Sequence, residues 1–357
     1  MKKVLIMAGG TGGHVFPALA VAEVLRDQQV SVAWIGTRRG IEYRLVPEAG
    51  ITLHCISAQG LRGNGLTGWL MAPLRLLKAI AEARKIIKAF QPDVVLGLGG
   101  FASGPGGVAA WLSRIPVVIH EQNAIAGLTN KLLAPLSKQV LLGFENSFSG
   151  KKTTWVGNPV RQQIESMAVP AERFSGRQGP LKILVLGGSL GAQSLNRVVP
   201  AAVACLAESQ RPVIQHQCGE KHLSMAQQAY QDAEVSAQVV TFITDMAAAY
   251  AEADLVICRA GALTVAEIAA AGVAAILVPY PYAVDDHQTA NASALADCGA
   301  AILVDDKTLT VAALSALLND FSQDRQRLLT MAENARTLAR TGSANAIAAR
   351  CLEVANG

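Results

Sequence analysis

The stretch Lys3-Val4-Leu5-Ile6-Met7-Ala8-Gly9-Gly10-Thr11-Gly12-Gly13-His14 decides the fold. Val4 to Ala8 is a short apolar run of the kind that forms a strand buried on both faces. A glycine-rich turn follows it, and then helix-like sequence. The same order returns at Ile183-Leu184-Val185-Leu186-Gly187-Gly188-Ser189-Leu190-Gly191-Ala192. Glycines at a strand-to-helix turn let backbone N–H groups approach a ligand closely, and the helix N-terminus favours negative charge. Two such turns, half a chain apart, predict two similar domains facing a central cleft.

Working outward, strand-like and helix-like runs alternate throughout. The strand-like runs are 3–8, 31–35, 52–57, 94–98, 117–120 and 140–144, then 182–186, 213–216, 239–242, 255–258, 275–278 and 301–304. This alternation implies right-handed βαβ units and two Rossmann-like, doubly wound parallel sheets of the α/β class. The expected domains are 1–160 and 161–339. A final helix at about 340–357, with no strand after it, is expected to pack back on the first.

Composition narrows the class. At 357 residues, 51% hydrophobic and 16% charged, the chain can bury two cores and is not of the disordered type. A net charge of +4 is too mild to point to nucleic acid by itself. The six cysteines include no C-x-x-C pair, which argues against zinc and a disulfide framework and for a reducing compartment. Gly9 to Gly13 interrupts any signal-peptide apolar run, and the most apolar stretch, 262–279, contains Glu267 and Gly272. A cytosolic protein with at most peripheral membrane contact is expected.

The glycine spacing speaks to the ligand. G-x-G-x-x-G fails in both turns, and Ile35 leads into Gly36-Thr37-Arg38-Arg39 rather than an acid, so a nicotinamide dinucleotide is disfavoured. A phosphate-containing ligand remains. The segment Arg259-Ala260-Gly261-Ala262-Leu263-Thr264-Val265-Ala266-Glu267 suits a pyrophosphate at a helix N-terminus. Glu267 reads equally as a ribose acceptor or as the acid of a Thr264-x-x-Glu267 capping box. Asp285-Asp286-His287-Gln288 has no second histidine at ligand spacing, which favours hydrogen bonding to a sugar over metal. His120-Glu121-Gln122-Asn123 ends a strand, and alternation predicts that His120 and Glu121 point oppositely. His14 reads equally as a base and as a residue bracing the glycine loop.

Together these residues resemble the MurG family, the UDP-N-acetylglucosamine–N-acetylmuramyl-(pentapeptide) pyrophosphoryl-undecaprenol N-acetylglucosamine transferases. The resemblance runs end to end, through MAGGTGGHVFPALAVA, GLRGNG, PDVVLGLGGFASGPGG, IPVVIHEQNAIAGLTNK, VGNPVR, GGSLGAQSLN, DMAAAYAEADLVICRAGALTVAEIAAAG and HQTANA. It implies a GT-B fold and an inverting transfer of GlcNAc from UDP-GlcNAc to the MurNAc C4 hydroxyl of lipid I, giving lipid II for peptidoglycan synthesis. It implies no metal or other cofactor. By the same resemblance Thr11, Gly12, Gly13, Asn123, Arg161 and Ser189 contact the donor, and Ile243 holds uracil. Ala262, Leu263, Thr264, Val265, Ala266 and Glu267 bind pyrophosphate and ribose, and Gln288 binds the sugar. This favours the ribose reading of Glu267. Leu190 departs from the glutamine common in relatives. The expected base is His14 first and Glu121 second.

A lipid acceptor requires a route to the membrane. Leu70, Leu74, Leu77 and Ile80 share one helical face, with Met71 beside them and Arg75, Lys78, Arg84, Lys85 and Lys88 between. With Trp111 they resemble the family's patch for an anionic bilayer, where each basic residue contributes about 1 kcal/mol. The expected location is the cytoplasmic face of the bacterial plasma membrane, with cell-wall and division proteins as implied partners. A UDP-GlcNAc 2-epimerase-like isomerase and a non-catalytic nucleotide-sugar scaffold are the competing functions.

Overall fold

The computed structural model describes residues 1–58, 65–150, 152–188 and 191–357, with the side chains of 65–70 and of Val284 left aside. Among them the chain divides into two compact units, Met1–Val160 with Gly342–Gly357, and Arg161–Thr341.

The first unit is built on an all-parallel sheet of β1 (Lys3–Met7), β2 (Ser31–Gly36), β3 (Thr52–Cys55), β4 (Val94–Gly97), β5 (Val117–Glu121), β6 (Gln139–Leu142) and β7 (Thr153–Trp155). Their order across the sheet is β3-β2-β1-β4-β5-β6-β7. Val4 lies opposite Val32 on one side and Val94 on the other. The two-residue period of a strand separates the core into two halves. Val4 and Ile6 pack with Trp34, Leu96 and the helix Gly12–Asp27 on one face. Leu5 and Met7 pack with Ile35, Val95 and the helices Gly65–Phe90 and Ser103–Leu112 on the other. The last helix, Ser343–Asn356, places Ile347, Ala348 and Cys351 in the first of these halves. Lys2 Nζ also donates to the Ala355 carbonyl at 2.7 Å.

The second unit repeats the plan with β8 (Lys182–Leu186), β9 (Val213–Gln217), β10 (Gln238–Val240), β11 (Leu255–Cys258), β12 (Ala274–Leu277) and β13 (Ala301–Leu303). The order is β10-β9-β8-β11-β12-β13, again all parallel. Ile183, Val185, Ile257 and Ile276 meet Leu195, Val199 and Phe321 in its core. β7 was not anticipated: Thr153-Thr154-Trp155 is too short to carry a periodic signal, and it completes an edge beside β6.

This topology locates ligand sites. In open α/β sheets ligands bind beyond the carboxyl ends of the strands, where the strand order reverses. The reversal falls between β1 and β4 in the first unit and between β8 and β11 in the second. The two glycine turns follow β1 and β8.

Candidate functional site

At the first reversal, Thr11 precedes the helix Gly12–Asp27 in extended conformation, and no side chain caps that helix start. A helix start without a side-chain cap is where backbone N–H groups can meet an anionic ligand. Gly99 and Gly100, after β4, close on the turn with φ of +95° and +82°. A Cβ on Gly99 would lie 2.9 Å from Nδ1 and Cε1 of His14, and one on Gly100 would strike the Gly9 carbonyl. Two glycines thus let the β4 loop seat both the turn and the imidazole.

Glu42 braces the turn from beneath. Its fully buried carboxylate accepts from Gly10 N at 2.9 Å, Thr37 N at 2.9 Å and Thr37 Oγ1 at 2.8 Å. The missing side chains of Gly9, Gly36 and Gly40 make room for it. Sequence reading sought an acid directly after β2. This one stands further on and folds back, so only the spacing of those three glycines could have signalled it.

β5 delivers the next group. His120 and Glu121 are both buried, on opposite sides of the strand. Glu121 accepts four N–H donors: Asn123 N at 2.9 Å, Asn123 Nδ2 at 3.2 Å, Gly127 N at 3.0 Å and Asn130 Nδ2 at 2.8 Å. Those contacts occupy a carboxylate's usual capacity and shape the loop that carries Asn123. His14, by contrast, is half-buried and meets Gln122 Oε1 through Nδ1 at 3.2 Å. Burial pushes the His120 imidazole down to about 4, against a hydrogen bond to the Gly157 carbonyl and the Glu121 charge, which act the other way.

At the second reversal the helices Gln193–Ala204 and Ala262–Ala271 both start without a side-chain cap. Because Gly261 is the cap residue, Thr264 lies inside the helix and the capping box does not form. Glu267 instead accepts from Arg161 Nη2 at 2.9 Å and Tyr250 Oη at 3.1 Å. Burial raises its pKa, and the Arg161 guanidinium opposes that rise. Ile243 is buried, and its N–H is held by Gln217 Oε1 at 3.1 Å. Gln288 Oε1 accepts from Tyr280 N at 2.8 Å. Ser189 and Leu190, and most of the GLRGNG segment, lie outside the described residues.

Sequence reading passed over the cluster that ties these strand ends together. Arg259 Nη1 donates to Asp306 Oδ1 at 2.6 Å and to the Val278 and Pro279 carbonyls at 3.1 Å each, and Nη2 reaches Ser194 Oγ at 2.9 Å. One guanidinium therefore joins the ends of β11, β12 and β13 to the helix after β8. Among the described residues no group of three or more His, Cys, Asp and Glu side chains is arranged to hold a metal ion.

On the helix Gly65–Phe90, Leu74 and Leu77 are 60% and 62% exposed, as is half of Trp111 on the neighbouring helix. Ile80 is half-buried against the core beside Ala79 and Ala83, and the Leu70 side chain lies outside the described residues. The exposed apolar surface also includes Leu128 and Leu132, on the helix Leu128–Leu133. No helix among the described residues is long and apolar enough to cross a membrane.

Comparison with known proteins accounts for both units. The glycosyltransferase family 28 N-terminal domain matches residues 4–142, and the family's C-terminal domain matches residues 182–349. A Nitrosococcus oceani protein named UDP-N-acetylglucosamine–N-acetylmuramyl-(pentapeptide) pyrophosphoryl-undecaprenol N-acetylglucosamine transferase is 54% identical over 99% of each chain. A Marinobacter nauticus protein of the same name is 53% identical, over 100% of this chain and 98% of its own. The crystal structure of Acinetobacter baumannii MurG superposes with a TM-score of 0.85 at 44% identity, over 99% of this chain and 100% of that one. With its paired Rossmann-like units in the GT-B fold, the chain belongs to glycosyltransferase family 28, among the MurG N-acetylglucosamine transferases.

Proposed function

We infer that the chain moves GlcNAc from UDP-GlcNAc to the MurNAc C4 hydroxyl of lipid I, with inversion, to give β-1,4-linked lipid II. The observation that carries this reading is the likeness, over 99% of the chain, to a relative named for that transfer. The chemistry asks for three things: a base for the acceptor hydroxyl, support for an oxocarbenium-like anomeric carbon, and stabilisation of the departing UDP. His14 is the proposed base. Glu121 is second, because four donors already engage its carboxylate.

The uncapped helix starts at Gln193 and Ala262 offer N–H groups to the diphosphate, and Arg161 and Ser189 add charge and a hydroxyl. Preorganised donors of this kind stabilise the charge that develops on a leaving group. Glu267 would accept the ribose hydroxyls with lone pairs left over from Arg161 and Tyr250, while Ile243 holds uracil and Gln288 the sugar. Thr11, Gly12, Gly13 and Asn123 are the first unit's proposed donor contacts, with Leu263, Thr264, Val265 and Ala266 completing the pyrophosphate helix.

Access to the lipid is assigned to the exposed Leu74, Leu77 and Trp111 surface with its lysines and arginines, at the anionic cytoplasmic face of the plasma membrane. Cell-wall and division proteins are proposed partners on grounds of family membership alone. Incubating the chain with labelled UDP-GlcNAc and a lipid I analogue tests the reading. A labelled lipid-linked disaccharide is expected, whereas free 2-epimer with no transfer would make the chain an isomerase.

A further inference from the structure

Two carbonyl oxygens fix the hydrogens along a chain of side chains that ends at His14. His120 Nε2 lies 2.9 Å from the Gly157 carbonyl, which only accepts, so Nε2 carries a hydrogen. Burial keeps this imidazole neutral at neutral pH, which leaves Nδ1 as its acceptor. Gln122 Nε2 lies 3.2 Å from that Nδ1 and 3.3 Å from the His120 carbonyl. Both are acceptors, so the amide nitrogen must face His120 and Oε1 must face away. Oε1, again an acceptor only, lies 3.2 Å from His14 Nδ1, so that nitrogen carries the hydrogen. In a neutral imidazole the lone pair is then on Nε2.

We propose that Gln122, oriented by His120, is a positioning residue that holds His14 in its Nδ1–H tautomer, so that Nε2 takes the proton of the acceptor hydroxyl. The proposal rests on the transfer reading above. In that step the acceptor oxygen bonds to the anomeric carbon, and its proton passes to His14 Nε2. The bond from the anomeric carbon to the UDP oxygen breaks, and its electron pair leaves on the diphosphate. Gln122 takes no proton. Its carbonyl dipole faces Nδ1–H and stabilises the imidazolium that forms. The scaffold supports this role: Asn158 Nδ2 donates to the Gln122 main-chain carbonyl at 2.9 Å, and the absence of a Cβ at Gly99 leaves space for the ring.

A long-range proton–nitrogen NMR spectrum of the full chain, with its histidine nitrogens isotopically labelled, reads the tautomers directly; the His14 signals are those lost in His14→Gln. The expected pattern is Nδ1–H for His14 and Nε2–H for His120, and an Nε2–H His14 overturns the proposal. In Gln122→Leu, His14 should become a tautomer mixture. Its kcat should fall about tenfold or more, while KM for UDP-GlcNAc stays within about twofold. A Gln122→Leu enzyme with unchanged tautomer and kcat removes Gln122 from this role. If the variant does not fold, the wild-type spectrum still decides the tautomer. A wild-type chain with Nδ1–H His14 and no transfer activity would defeat the transfer reading and leave the tautomer assignment standing.

Discussion

Glu267 is nearly inaccessible, in the middle of the helix Ala262–Ala271 and beside the proposed ribose position, bound to Arg161 and Tyr250. Glu267→Gln should raise KM for UDP-GlcNAc by about tenfold or more, the range expected when a charged hydrogen bond is lost. Its kcat should change less. Steady-state kinetics with varied donor checks this, and an unchanged KM would remove Glu267 from the donor site. His120 and His216 make a second residue-scale expectation. Both are buried and both are pushed down to about 4, chiefly by burial. Unfolded imidazoles titrate near 6.5. Below that pH the unfolded chain binds protons that the folded chain refuses, so stability falls as pH drops from about 6.5 towards 4. Each histidine contributes a slope of up to about 1.4 kcal/mol per pH unit. Urea unfolding between pH 7 and 5 should reveal the fall, and His216→Gln should flatten it; a pH-independent midpoint would contradict both assignments. His14, Glu121 and Glu267 stood out as candidates in the sequence because each belongs to a distinctive motif that ends or follows a strand. Glu42, Gln122, Arg259 and Asp306 acquire their roles only through contacts made across the fold, which local spacing does not encode.

The decisive elements are the loops after β1 and β4. Gly100→Ala would force a left-handed backbone on alanine and push its Cβ into the Gly9 carbonyl, a cost of about 2 kcal/mol or more. Denaturant unfolding should show that loss, and a variant as stable as the parent would mean that the loops do not touch. The amphipathic helix Gly65–Phe90 gives the other element-scale expectation. Leu74→Ser/Leu77→Ser should weaken binding to anionic vesicles, and parental binding should fall with salt. Sedimentation with vesicles measures both; undiminished binding would place the membrane contact elsewhere. Helical periodicity identified this face, but it also assigned Ile80 to it. The helix turns Ala79, Ala83 and Ile87 into the core, and Ile80 follows them part of the way.

At the scale of the whole chain, the alternation of strand-like and helix-like runs made two doubly wound sheets legible, because buried parallel strands are nearly continuous runs of Val, Ile and Leu. The order within each sheet was not legible. It follows from βαβ crossovers, and it is the order that puts both glycine turns at the points where the sheets reverse. The turns share a sequence form but differ in their surroundings: the first is braced by Glu42 and adjoins His14, and the second is joined to neighbouring strand ends through Ser194 and Arg259. In the proposed function the first turn serves the base and the second the leaving group. The central claim is an inverting transfer to one hydroxyl, and NMR analysis of the disaccharide formed from UDP-GlcNAc and a lipid I analogue tests it most directly. The account predicts a β-configured anomeric proton linked to C4 of MurNAc; an α-linked product, or no disaccharide at all, would contradict it.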